Sequence, residues 1–286
     1  MPYPIIKLPY GLRCRLSKLV TPVERYEFQI AAGNAPVCPP KLQLIHGSYG
    51  DPRFICNNGT ISVYRDYQAF NTDALVVIDN DILVRFEGRT HLRGFELQDL
   101  TSETFGHILF DNIVSLFLLN CSISKSFYQT LKTNFPKFKE LSIENNTNRE
   151  YTINLKDVLF TLPHLRDLNI ACYTSNNWIT ELLQLENHSL KTFDIYFEQI
   201  GQFEPFNLDD LWKFLKAQKP GFLFTISIYD ELGKHDVFVS EMRKYLNENF
   251  VEGDAAENDC AYLTFIYMTD YFAWHLPLDD GLIVLV

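Results

Sequence analysis

The 286-residue chain is 47% hydrophobic and 14% aromatic, a composition that excludes disorder and supplies apolar mass for one large or two modest cores. Its formal charge of −11 is uneven: residues 1–50 hold six basic and two acidic side chains, a net +4, and the remainder holds 19 basic and 34 acidic, a net −15. An acidic body lacks the cations that displace counterions from a phosphate backbone, and no apolar run approaches the ~18 residues of a membrane span, so neither nucleic acid nor membrane is an expected partner.

The first twenty residues place Lys7, Arg13, Arg15 and Lys18 among apolar ones, which argues against a secretory leader. Leu8, Leu12, Leu16 and Leu19 fall on one stripe of a helix that starts near Pro9, with the basic residues mostly off that stripe. "TPVE" then reads as a second helix start: Thr21 caps, Pro22 takes the first position and Glu24 completes a capping box. Val23, Tyr26 and Ile30 form its stripe. Two helices this short bury little of their own, so they must lean on the body or on another protein.

Leu8-Pro9, the spaced leucines and the second helix together resemble an F-box in its divergent, nematode-type form. The resemblance covers residues 4 to about 45. It implies a module that binds the Skp adaptor, and through it a cullin, with Leu8, Pro9, Leu12, Leu16, Leu19, Tyr26 and Ile30 at the contact and the basic groups toward the adaptor's acidic surface. Without it, the same residues read as an N-terminal helical cap on the body.

Residues 46–90 read as a β-rich junction. "RFICNNGTISVY" is a hairpin turning at Asn58-Gly59, and "ALVVIDNDILVRFEG" predicts a second around Asp79-Asn80. From 91 to 286 a spacing recurs: apolar, two residues, apolar, one residue, apolar. It appears as Leu92/Phe95/Leu97, Ile113/Leu116/Leu118, Phe138/Leu141/Ile143, Leu165/Leu168/Ile170, Leu190/Phe193/Ile195 and Leu223/Ile226/Ile228, with a weaker copy at Tyr262/Phe265/Tyr267. The period is close to that of leucine-rich repeats. "NWITELLQL", "NLDDLWKFLKAQKPG" and "HDVFVSEMRKYL" between them read as helices. The expected fold is therefore α/β: an N-terminal helical F-box, then a leucine-rich-repeat-like solenoid with a concave β-sheet. A two-layer α/β sheet is the rival architecture. The closing "GLIVLV" reads as a terminal strand.

Residues suited to chemistry do not assemble. The seven His lack metal-ligand spacing, and there is no phosphate loop or nucleophile elbow. The six Cys are scattered without C-x-x-C pairs, which suits a reduced chain in cytoplasm or nucleus. No enzyme, metal or cofactor is expected. Strand alternation instead predicts two outward columns, Phe117, Ser142, Asn169, Asp194, Ser227 and Leu119, Glu144, Ala171, Tyr196, Tyr229. Of these, Phe117, Leu119, Glu144, Asn169, Asp194, Tyr196 and Tyr229 are the candidate target-binding residues, unless loops or the tail cover them. From Tyr245 onward the chain has eight acids and no Lys or Arg, which points to a protein target with a basic patch. The function that the F-box resemblance implies is the non-catalytic, substrate-recognition subunit of a cullin–RING ubiquitin ligase. The alternative is a stand-alone repeat protein that holds a partner without ubiquitylation.

Overall fold

The computed structural model describes residues 7–33, 42–65, 74–79, 81–172, 174–175, 177–185, 188–198, 202–253 and 260–277. The expected terminal strand at 281–286, Asn80 of the second turn, Cys38 and the tail acids Asp254, Glu257, Asp259, Asp279 and Asp280 lie outside them. The chain divides into two compact units, Met1–Leu116 with Thr133–Phe138, and Phe117–Lys132 with Lys139–Val286.

The first unit opens with α1 (Tyr10–Leu19) and α2 (Pro22–Ala31). The capping box is present: the Thr21 hydroxyl accepts from the Glu24 N–H, and the Glu24 carboxylate accepts from the Thr21 N–H at 2.8 Å. Strands β1 (Ile45–Gly50), β2 (Arg53–Asn57), β3 (Thr60–Arg65), β4 (Ala74–Leu75) and β5 (Leu83–Arg93) follow. The hairpin at Asn58-Gly59 forms as expected, because both residues take positive φ (50° and 76°), which the two-residue turn requires. The second hairpin does not. β4 pairs with β3, while β5 pairs in parallel with β1 and β2. In the sheet β5 has neighbours on both sides, whereas a two-strand ribbon with β4 would have left one edge open.

The repeat expected at Leu92/Phe95/Leu97 is also corrected. Leu92 and Phe95 are buried, but β5 ends at Arg93 and Leu97 is exposed. Gly94 breaks the strand at φ 72°, packed so close to the Cys56 carbonyl that a Cβ there would sit 2.7 Å from its oxygen. Around Phe54 the rings of Phe86, Phe105 and Phe110 gather within 6.0 Å, and Phe110 meets Phe135 at 4.5 Å.

Strand β6 (Ile108–Leu119) is divided between the units, its last three residues belonging to the second. In the second unit α3 (Lys125–Asn134, all but its last two residues) precedes β7 (Glu140–Glu144). There follow α4 (Leu155–Thr161), β8 (Asp167–Ala171), α5 (Trp178–Leu183), β9 (Thr192–Phe197), α6 (Leu208–Lys216) and β10 (Leu223–Ile228). Then come α7 (Asp236–Asn249), β11 (Val251–Glu252), β12 (Tyr262–Tyr267) and β13 (Asp270–His275). Strands β7, β8, β9, β10 and β12 are parallel and adjacent in chain order; β13 runs antiparallel on β12, and β11 on β13.

The predicted helices form where the caps direct. Asn207 accepts from the N–H groups of Asp209 and Asp210, and α6 buries Leu211, Phe214 and Leu215. Because α5 packs on both α4 and α6, these three helices share one face of the sheet. The inward residues stack in rows: Leu141, Leu168, Phe193, Phe224, Leu263, and beside them Ile143, Ile170, Ile195, Ile226, Phe265. All ten are buried. Phe193 and Phe224 stack at 5.1 Å, with Trp178 edge-on to both.

Candidate interaction surfaces

In the first unit the polar side of α2, not its apolar stripe, holds the helix pair to its neighbours. Arg25 donates to the Ser17 carbonyl (3.0 Å) and to Gln43 Oε1 (2.9 Å), and lies 3.5 Å from Asp81. Gln29 is buried and exchanges two hydrogen bonds with the Gln43 backbone. Thr21 packs on the backbone at Gly106. Four of the seven expected docking residues are left outward. No residue of α1 is buried; Leu12 is 48% exposed, Leu19 83% and Ile30 51%, and Pro9 is exposed. Leu8, Leu16 and Tyr26 are half-buried. An amphipathic helix normally turns its stripe to the core. Here Leu12, Leu19 and Ile30 stand out from it, while Leu8, Leu16 and Tyr26 are partly covered.

In the second unit the face opposite the helices is open. Its register places Ser142, Asn169, Asp194, Thr225 and Thr264 in one column. Glu144 pairs with Ala171, and Tyr196 with Ser227 and then Ile266. Asn169, Asp194 and Tyr196 thus share the surface as expected, with Phe117 and Leu119 half-buried at the end of β6.

The assignment at β10 is corrected by two residues. The pair facing Asp194 and Tyr196 is Thr225 and Ser227, not Ser227 and Tyr229. Leu223, expected inside, is 41% exposed, and Tyr229 lies past the strand end with its hydroxyl on Glu231. In "LFTISI" the buried side chains are Phe224, Ile226 and Ile228. Leu223 already belongs to the strand, where a three-residue step to Ile226 crosses to the other face. Leu190 escapes this because it precedes its strand and is buried in the turn. The same parity in β12 buries Leu263 and Phe265, and turns Tyr262 outward to meet the Tyr271 hydroxyl at 3.3 Å.

Electrostatics on this face are one-sided. Glu140, Glu144, Asp167 and Asp194 occupy outward positions of the strands, and no Lys or Arg does. Burial pushes the Asp194 carboxyl up; a hydrogen bond from Thr225 works the other way, and nearby Asp167 adds to the rise. Burial, then Asp194 and Glu198, raise the Tyr196 phenol. Cys172 is buried, and that burial pushes its thiol up to about 12, which removes it as a nucleophile.

An asparagine pair at the strand ends was missed in the sequence. Asn120 and Asn145 take positive φ (54° and 61°), and Asn145 donates to Asn120 Oδ1 at 2.6 Å. The signal was there: Asn follows the apolar run in both "FLLN" and "SIEN". Among the described residues no group of three or more His, Cys, Asp or Glu side chains could hold a metal ion, and no helix is long and apolar enough to cross a membrane. Comparison with family models, curated proteins and solved structures finds no match to this chain.

Proposed function

We propose that this chain is the substrate-recognition subunit of a cullin–RING ubiquitin ligase. In this reading α1 and α2 form an F-box that binds the Skp adaptor, and the second unit is a leucine-rich-repeat-like solenoid that holds a protein target. The observation that carries it is the outward apolar stripe of Leu12, Leu19 and Ile30, on helices fixed to their unit by Arg25 and Gln29. Apolar stripes held outward by buried polar anchors are built for a partner. The ordered succession of parallel strands, each joined to the next through a helix, is the organisation a repeat solenoid needs. Target contacts fall on Asp194, Tyr196, Asn169 and Glu144, with Thr225 and Tyr262 added by the observed register; the acidic face suits a basic patch. The chain contributes no chemistry of its own.

Co-purification with the Skp adaptor tests the reading. Wild-type chain should capture the adaptor, and Leu12→Asp with Leu19→Asp should release it while both units stay folded. A chain that folds but never captures the adaptor leaves the stand-alone repeat protein as the function.

A further inference from the structure

Three cations occupy one repeating position of the second unit. Lys139, Arg166 and Lys191 stand immediately before the first outward residue of β7, β8 and β9, and all three are exposed. The backbone fixes them in a row. The Arg166 and Asp167 N–H groups both donate to the Lys139 carbonyl, at 2.7 and 3.1 Å, and those of Lys191 and Thr192 repeat this on the Arg166 carbonyl, at 2.7 and 3.1 Å. With strands about 4.8 Å apart, the three backbone positions fall within roughly 10 Å. They lie five residues past the ends of α3 and α4 and eight past α5, beyond the last turn over which a helix dipole rewards a cation. The Lys125–Asp157 and Lys213–Asp210 ion pairs of this unit lie elsewhere.

The row ends at an opening that is part apolar and part polar. The next strand has buried Phe222 at the corresponding place, and beside it a cavity of about 320 Å³ opens between the ends of α5 and α6. Leu182, Leu185, Leu190 and Phe214 line its apolar side and His188 and Gln218 its polar side, with Lys219 exposed at its rim. Leu190 is the neighbour of Lys191, so cavity and row adjoin. The volume lies at the small end of ligand pockets, enough for a single apolar side chain.

We propose that this edge of the second unit binds an anionic peptide segment bearing one apolar anchor residue. The anchor enters the cavity beside Leu190, and carboxylates or phosphates on the same segment lie along Lys139, Arg166 and Lys191. A nucleic acid fits worse, because it has no aliphatic group for the cavity. This site is separate from the open sheet face and does not depend on the ligase reading.

Fluorescence anisotropy on the full chain tests it, using a labelled peptide of consecutive glutamates ending in leucine. Saturable binding that weakens with salt is expected, with a loss of about ten-fold or more in the K139E/R166E/K191E variant. The milder Lys191→Gln and Leu185→Asp variants should each weaken binding if the triple variant folds poorly. A phosphoserine version that binds more tightly would identify phosphate as the preferred anion. Equal binding of a lysine-for-glutamate peptide, tighter binding of an oligouridylate, or unchanged affinity in all these variants overturns the proposal. Equal binding when serine replaces the terminal leucine overturns the anchor.

Discussion

Helices α1 and α6 are similar in length and both carry leucines at helical spacing, yet α6, the more strongly amphipathic, buries Leu211, Phe214 and Leu215 while α1 buries nothing. The difference lies in what surrounds them. α6 faces the inward rows of a parallel sheet and has α5 beside it. The α1–α2 pair is held from its polar side by Arg25, Gln29 and Gln43, which leaves Leu12 and Leu19 outward. An apolar stripe therefore reports that a helix has a partner, but not whether the partner belongs to the same chain.

Core truncation should separate the two regions most strongly. Ile195→Ala or Leu168→Ala removes a fully buried aliphatic group and should cost about 2–5 kcal/mol in urea unfolding. Leu12→Ala or Leu19→Ala should stay within about 0.5 kcal/mol of wild type. Equal losses in both sets would mean that α1 is packed in solution, and would break the contrast.

Next come the caps, where the regions should look alike. Thr21→Ala and Asn207→Ala each remove a side-chain acceptor from a helix start and should each cost about 1 kcal/mol. A negligible cost at Thr21 alone would show that α2 is held by Arg25 and Gln29 without its own cap.

The carboxylates of the second unit give a finer comparison of opposite sign. Burial works against the charge of Asp230, but hydrogen bonds from the His235 N–H and the Tyr267 hydroxyl outweigh it and hold the carboxyl below its usual range. Asp230 therefore adds stability above its unfolded-state pKa, and that contribution is lost as pH falls through the folded value. Asp194 is raised, so its charge costs stability as pH climbs from the unfolded pKa through the folded one. Denaturation at pH 3 and pH 7 should show Asp230→Asn destabilising chiefly at pH 7, and Asp194→Asn gaining relative to wild type at pH 7. Parallel behaviour of the two variants would refute the assignment of their environments.

The smallest effect is on thiol chemistry. Buried Cys172, with its thiol near 12, should remain unmodified by a disulfide reagent at pH 8 while half-exposed Cys14 reacts. Mass spectrometry of the labelled peptides reads this directly.

Local pattern was enough for much of this chain. The Thr21 and Asn207 caps, the Asn58-Gly59 turn, the helices between strands and the burial parity of Leu141, Leu168 and Phe193 within their own strands all rest on interactions spanning a few residues, and the sequence carries those. Three things were beyond it. Whether Leu223 or Phe224 faces inward depends on where β10 begins, which only pairing with β9 settles, and Tyr229 left the proposed surface for that reason. The pairing of β5 with β1 and β2, in place of a hairpin with β4, is a choice among strands distant in the sequence. Finally, Lys139, Arg166 and Lys191 are scattered in the sequence, and only the parallel register aligns them at one edge. Each is a non-local outcome: period and propensity set what a segment can become, and the tertiary contacts decide which face it shows.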